Sequence, residues 1–331
     1  MDIDAYAAAH RADWDRLDEL GRRGSLSGAE ADELIDRYQS GATQLSAIKT
    51  TAGSTVTGDR LSVSLSRARL RFTSAGRNVA SQIPRFFALQ LPAALYRLRW
   101  VTLAVFVAFT IVASLYATWI ATNPQALAAL GDEATLRQTA EQGFVAYYSE
   151  NPATSFAGRV WTNNAWIAAQ CIAFGITGVW VPYVIAGNAQ GIGLTAGVMF
   201  AYDEGDTFFL YILPHGLLEL TSVFVAGAAG LRIFWSWVAP GRLPRGRSLA
   251  QEARALFTVV IGLIIALFVS GIIEGFVTPA PWHPAVKIAI GALALGAFLF
   301  YMLVIGGRAA RSGETGDLEE FERGASSLVA G

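Results

Sequence analysis

Two kinds of hydrophobic patterning divide the chain. Over the first fifty residues, helix-facing positions recur every third or fourth place: Tyr6, His10, Trp14, Leu17 and Leu20, then Ala31, Leu34, Ile35, Tyr38, Leu45 and Ile48. That is the period of an amphipathic helix. Ser27 and Glu30 have the spacing of a capping box, with Leu26 and Ala31 placed to staple it, so a second helix is expected to start there. The two stripes predict an antiparallel helical hairpin turning at Gly21–Gly24. Such a hairpin is too small to be very stable alone and calls for a partner surface. A Thr/Ser/Gly-rich stretch at 50–60 reads as a linker that closes this first region, residues 1–60.

From residue 100 the period gives way to long apolar runs. A membrane-crossing helix needs about 20 predominantly apolar residues. Segments 100–121 and 163–187 qualify without a single charge, 255–277 contains only Glu274, and 285–306 only Lys287, close enough to its end to snorkel. Segment 207–238 is longer than one crossing and contains His215, Glu219 and Arg232. Segment 188–202 is apolar but short, and reads as either a thin crossing or half of a re-entrant hairpin. The expected fold is therefore all-α: a polytopic transmembrane helical bundle over 100–306, with about six crossings, behind an N-terminal cytoplasmic helical hairpin.

Residues 61–99 connect the two. Eight arginines and no acid lie between Arg60 and Arg99. Val79–Arg99 mixes Ile83, Phe86, Phe87, Leu91 and Tyr96 with Arg85, Arg97 and Arg99, and Arg77 stands just before it. This composition suits interfacial helices on an anionic leaflet, broken near Pro84 and Pro92; an ordinary connector is the plainer alternative. Loop 122–162 has weak helical character at 126–148, and the acidic tail 307–331 is expected to be mobile beyond Gly313.

Composition narrows the class. With 53% hydrophobic and 15% charged residues, the second half is no soluble core. A net charge of −1 argues against a nucleic-acid partner. The lone cysteine, Cys171, lies in an apolar run, which excludes a disulfide scaffold. The first 60 residues are too polar for a cleavable leader. Arginines crowd 60–99, 240–254 and 308–311, whereas 122–162 carries four acids against two arginines and 203–206 three acids and no base. The positive-inside rule then makes both termini and the 240–254 loop cytoplasmic in a multi-pass inner-membrane protein.

Ionisable residues within the apolar runs are the candidates for chemistry. His215 and Glu219 are four apart, on one helix face. Pro214 suits a helix start, so the 207–238 segment is expected to break there, as transporter helices do at ion sites. Glu274 falls on the same side of the membrane. Asn163 and Asn164 open one run and Asn188 closes it, at depths where amides bond across helices. His215, Glu219, Glu274, Asn163, Asn164 and Asn188 form the expected intramembrane polar cluster, either as structural hydrogen bonding or as an ion or proton path. Gly187, Gly191, Gly216, Gly227 and Gly230 are spaced for close helix packing. No zinc-peptidase His-Glu-x-x-His motif and no nucleophile elbow is present, so no catalytic residue or cofactor is expected. One histidine and two carboxylates can in principle bind a metal, but their spacing is a weak signal and no metal is assigned. The expected partners are membrane lipids and a second copy of the chain, from the Gly-rich segments and the undersized hairpin.

Asn163-Asn164 before a run, Gly187-Asn188-x-x-Gly191 after it, and Pro214-His215-Gly216-x-x-Glu219 followed by Ala226, Gly227 and Gly230 resemble the stage II sporulation protein M family, over roughly residues 100–306. The N-terminal segment is similar to that of its longer, non-sporulation members. The resemblance implies a non-catalytic integral membrane protein that scaffolds or recruits cell-wall hydrolases or other envelope-remodelling proteins. A transporter or channel lined by His215, Glu219 and Glu274 is the alternative.

Overall fold

The structure, a computed structural model, describes residues 3–24, 26–73, 83–149 and 153–317. The described residues form two compact units, one within the first 82 residues and one over 83–317. The described residues are helical apart from turns and short connections.

The first unit has three helices, α1 (Ile3–Arg22), α2 (Gly28–Ala52) and α3 (Val56–Thr73). The capping box forms: Ser27 Oγ accepts from Glu30 N at 3.3 Å, and Glu30 Oε2 accepts from Ser27 N at 2.8 Å. Leu17, Leu20, Leu34 and Ile48 are buried, as their spacing predicts, while Ile35 stays exposed. The hairpin reading is one helix short. Residues 50–60 are no linker, because α2 ends at Ala52 and α3 starts at Val56. Leu61, Leu65 and Ala68 of α3 complete the core that the hairpin lacks. Residues 61–73, expected at a membrane surface, therefore pack inside this unit. Gly41 lets Leu65 and Leu17 meet over α2. Charged side chains lace the outside; Arg16 and Arg37 hydrogen-bond Glu33 and hold its carboxyl at about 2.

The second unit opens with α4 (Ile83–Thr122), a single 40-residue helix. The expected interfacial break at Pro84 and Pro92 does not occur. Pro84 sits in the first turn, where no backbone donor is needed, and Pro92 follows a wide turn at Phe86–Gln90. Arg77 lies outside the described residues. Two short helical stretches follow, α5 (Pro124–Ala128) and α6 (133–149). The main helices α7 (Ala153–Ala173), α8 (Trp180–Ala201), α9 (Gly205–Val238), α10 (Arg245–Val277) and α11 (Pro284–Arg311) complete the bundle.

Among the described residues, α4, α8, α9, α10 and α11 are long and apolar enough to cross a membrane. The expected 163–187 run is not one helix: it breaks at 174–179, where Gly178 takes φ 74°. Its second half joins 188–201 to make α8, so the apolar 188–202 segment is neither thin nor re-entrant. The more polar α7 runs the bundle's depth beside the five. It lies antiparallel to α10, with Ala153 against Gly275 and Trp161 against Phe268, and parallel to α9, with Cys171 against Gly230. Both ends of the unit meet: Arg97 donates to Thr315 O at 2.9 Å and Arg254 pairs with Asp317 at 2.5 Å. The tail is thus fastened through Asp317 rather than mobile there; residues 318–331 lie outside the described residues.

Glycines set the helix separations. A Cβ on Gly230 would collide with the Cys171 carbonyl, one on Gly291 with the Pro214 carbonyl, and one on Gly306 with the Pro92 carbonyl. Gly193 and Gly197 of α8 lie equally close to α4. Gly227 meets Ile185 and Val105 at ordinary to tight range. A Cβ on Gly187 or Gly191 would meet nothing within 4 Å among the described residues, so neither marks a close helix contact there. Gly291→Val and Gly230→Val should therefore each lower stability by about 1–3 kcal/mol or more through overpacking. Gly191→Val should leave the melting temperature in detergent nearly unchanged; equal losses at all three positions would contradict these seams.

Candidate functional site

Helix α9 packs on α4, α7, α8, α10 and α11. Its side chains therefore face other helices almost all round, and Pro214, His215 and Gly216 are buried. The helix is continuous through Pro214, so the expected break and its exposed helix start are absent. Proline costs α9 a backbone donor, but neighbours pack on the segment. Gly291 lets α11 settle directly on the Pro214 carbonyl, and Ser270 Oγ of α10 donates to His215 O at 3.1 Å.

Three expected residues come together. The ligand-capable atoms of His215, Glu219 and Glu274 all lie within 4.8 Å of one another. His215 Nε2 stands 3.7 Å from Glu274 Oε1, and both side chains are about 5% exposed. Glu274 owes its place to a wide last turn of α10, Ile273–Val277, closed by Thr278 N donating to Ile273 O at 3.0 Å. Such turns insert an extra residue and recur at functional sites. Glu219 is half-buried. Ser270 Oγ lies 3.3 Å from Glu219 Oε2, so one hydroxyl proton serves either Glu219 or the His215 carbonyl. Asn164 of α7 is buried and reaches Glu219.

The other expected members do not join. Asn163 is exposed and its amide points to Asn164 at 3.5 Å, and Asn188 donates to Val184 O of its own helix at 3.0 Å. An amide satisfied by the preceding turn has little left to offer across helices.

Four further residues complete the surroundings. Thr278 Oγ1 lies 3.2 Å from His215 Nδ1 and fixes the ring. Lys287 does not snorkel: it is buried, donates to Thr278 O at 2.7 Å, and lies over the Tyr211 ring at 5.3 Å. It caps the last carbonyls of α10, where a cation is favoured. Tyr148 of α6 covers the cluster, 6.0 Å from the His215 ring and 5.1 Å from Tyr211. Ser270 and Thr278 are unremarkable in sequence, and the adjacent Tyr147 and Tyr148 are a local aromatic signal in a segment that otherwise reads as a loop.

The sequence model described as Stage II sporulation protein M matches residues 102–279, more than half of the chain. The chain belongs to the stage II sporulation protein M family. Of the cluster and its surroundings, only Lys287 lies beyond the match. A second model, Domain of unknown function (DUF8413), matches residues 4–74 and so covers α1–α3. No curated protein and no solved structure matches the chain.

In this family member, two carboxylates and an imidazole share one largely buried corner. Two full negative charges no more than 4.8 Å apart repel by at least about 3.5 kcal/mol at an effective dielectric of about 20, so the cluster calls for a proton or a cation between them. Glu274 Oε2 is buried and has no hydrogen-bond partner among the described residues. His215→Leu and Glu219→Leu should each cost roughly 1–3 kcal/mol in detergent melting. Because Ser270 and Glu274 link them, the double change should cost at least about 0.5 kcal/mol less than the sum. Strict additivity would show two independent residues.

Proposed function

We propose that this chain is a non-catalytic inner-membrane scaffold that recruits envelope-remodelling proteins. The observation that carries the reading is the set of glycine seams. Carbonyl-to-glycine contacts fasten α9 to α7, α9 to α11, and α11 to α4. Packed interiors resist sliding, since small shifts at such contacts meet steep repulsion. A fixed frame suits a platform better than a carrier that must rearrange its helices, and so the seams weigh against the transporter reading. The family membership supports a membrane platform, and the separate three-helix unit gives it a second surface. The polar cluster then has its place as part of the frame rather than as a transport path.

Charge supports an orientation. One end of the second unit carries Arg85, Arg97, Arg232, Arg254 and Arg308, whereas the other carries Asp132, Glu133, Asp203, Glu204 and Asp206. The arginine end is cytoplasmic on the positive-inside rule, which places Ile83 and Asp317 inside. In a Cys171→Ser background, a membrane-impermeant thiol reagent should label a cysteine at position 130 in intact cells and spare one at 245. The reverse pattern would overturn the orientation.

Recruitment is tested by affinity purification in mild detergent from the native host, comparing the full chain with one lacking residues 3–73. Envelope proteins enriched by the full chain, and lost or reduced without the three-helix unit, are the expected outcome. A preparation containing only this chain would refute the scaffold reading, and its mass in detergent would test the proposed homodimer.

A further inference from the structure

We propose that His215, Glu219 and Glu274 bind one divalent transition-metal cation of the zinc class. The proposal goes beyond scaffolding and holds whether or not any partner is recruited.

The donor set comes first. One imidazole nitrogen and two carboxylate oxygens are zinc ligands, and sites with three protein ligands leave a fourth position open. A tetrahedral ion with bonds of about 2.1 Å holds its ligand atoms about 3.4 Å apart. His215 Nε2 and Glu274 Oε1 are already at 3.7 Å, and all three ligand atoms fall within 4.8 Å. Modest inward rotation of the two carboxylates closes the set. The ligands also come from different helices: His215 and Glu219 lie one turn apart on α9, and the wide last turn of α10 delivers Glu274.

The second observation is the unsatisfied acceptor. Glu274 is 4% exposed, yet its Oε2 has no partner among the described residues. A buried acceptor without a donor is costly and calls for an explanation. The histidine adds to it. Thr278 Oγ1 also lies within bonding range of Ile273 O, at 3.4 Å, and donating there leaves its oxygen to accept from Nδ1–H of His215. In that arrangement the lone pair of Nε2 faces a carboxylate oxygen at 3.7 Å, too far for a hydrogen bond. Two acceptors facing each other are repulsive unless a proton or a cation lies between them. The adjacent cationic side chain does not fill this role, because the Lys287 ammonium donates to Thr278 O and sits over Tyr211.

The surroundings match those of a metal centre. Metal-bound histidines commonly hydrogen-bond through their second nitrogen, and ligating carboxylates are held by outer partners. Thr278 does the first for His215, while Ser270 and Asn164 do the second for Glu219. A divalent ion also cancels two carboxylate charges in a low-dielectric interior, where an uncompensated pair is disfavoured. The Tyr148 ring, packed near His215, limits access from α6.

The test uses full-length protein in detergent, stripped with chelator, equilibrated with zinc chloride and dialysed, with metal counted by plasma mass spectrometry. The wild type should retain about one zinc per chain, and Glu274→Gln and His215→Gln less than about one tenth of that. Glu133→Gln, an exposed carboxylate on α6, should retain the full amount, and zinc should raise the melting temperature of the wild type and of this control alone. A wild type without zinc, which would mean a triad holding only a proton, overturns the proposal. So does zinc retained by Glu274→Gln and His215→Gln, which would mean adventitious binding. Should those variants fail to fold, zinc-edge X-ray absorption of the wild type decides: an imidazole and carboxylate oxygens at about 2.0–2.2 Å support the site, and a shell of water oxygens alone refutes it.

Discussion

A helix enclosed by neighbours over most of its surface cannot hand its buried polar groups to water, so each must be answered by a neighbour. Helix α9 is in that position, with α4, α7, α8, α10 and α11 around it. Enclosure at this density is possible only where side chains are removed from the contact lines, which is why Gly227, Gly230 and Gly291 stand where they do. In a membrane, apolar attraction between helices is weak against lipid, and close backbone approach carries more of the association. The bundle depends on that approach.

The polar cluster follows from the same enclosure. Proline at 214 removes a backbone donor, and histidine and glutamate add groups that lipid cannot solvate. The answers come from four other elements: Ser270, Glu274 and Thr278 from α10 and the turn after it, Asn164 from α7, Lys287 from α11, and the Tyr148 ring from α6. One oxygen of Glu274 is left over. A network so nearly complete, with one buried acceptor left over, is a poor apolar core and a good place for a cation.

Much of this was legible in the chain because the relevant signals are local. Apolar run length gave the membrane bundle, the three-four period gave α1 and α2, and the four-residue spacing put His215 and Glu219 on one face. The misreadings share a cause: helix boundaries depend on tertiary contacts. The uncharged 163–187 run looks continuous, but Gly175 packs on Gly230 and Gly178 under Phe234, so the chain turns there. Pro214 looks like a start, yet a helix supported by Gly291 and Ser270 passes through it. Residues 61–73 look interfacial because their arginines are counted without a partner, whereas Leu61, Leu65 and Ala68 have a two-helix core to complete. Ser270, Thr278 and Lys287 carry no spacing signal, since only the packing of α10 and α11 on α9 brings them to His215.

The last helix shows how function and packing divide along the chain. The family match ends at residue 279, before α11 begins at Pro284. Yet α11 places Gly291 on the Pro214 carbonyl, Gly306 on the Pro92 carbonyl, and the Lys287 ammonium on the carbonyl of Thr278. Without it, the turn of α9 that carries His215 would lose its covering backbone, and the end of α10 that carries Glu274 would lose its cap. The groups that would hold the ion all lie inside the matched region, while α11 supplies no ligand and fixes the two helices whose spacing the ligands require. A site of this kind is sensitive to substitutions well outside its own residues, because moving α9 against α10 by a fraction of a turn separates His215 from Glu274 without altering either side chain.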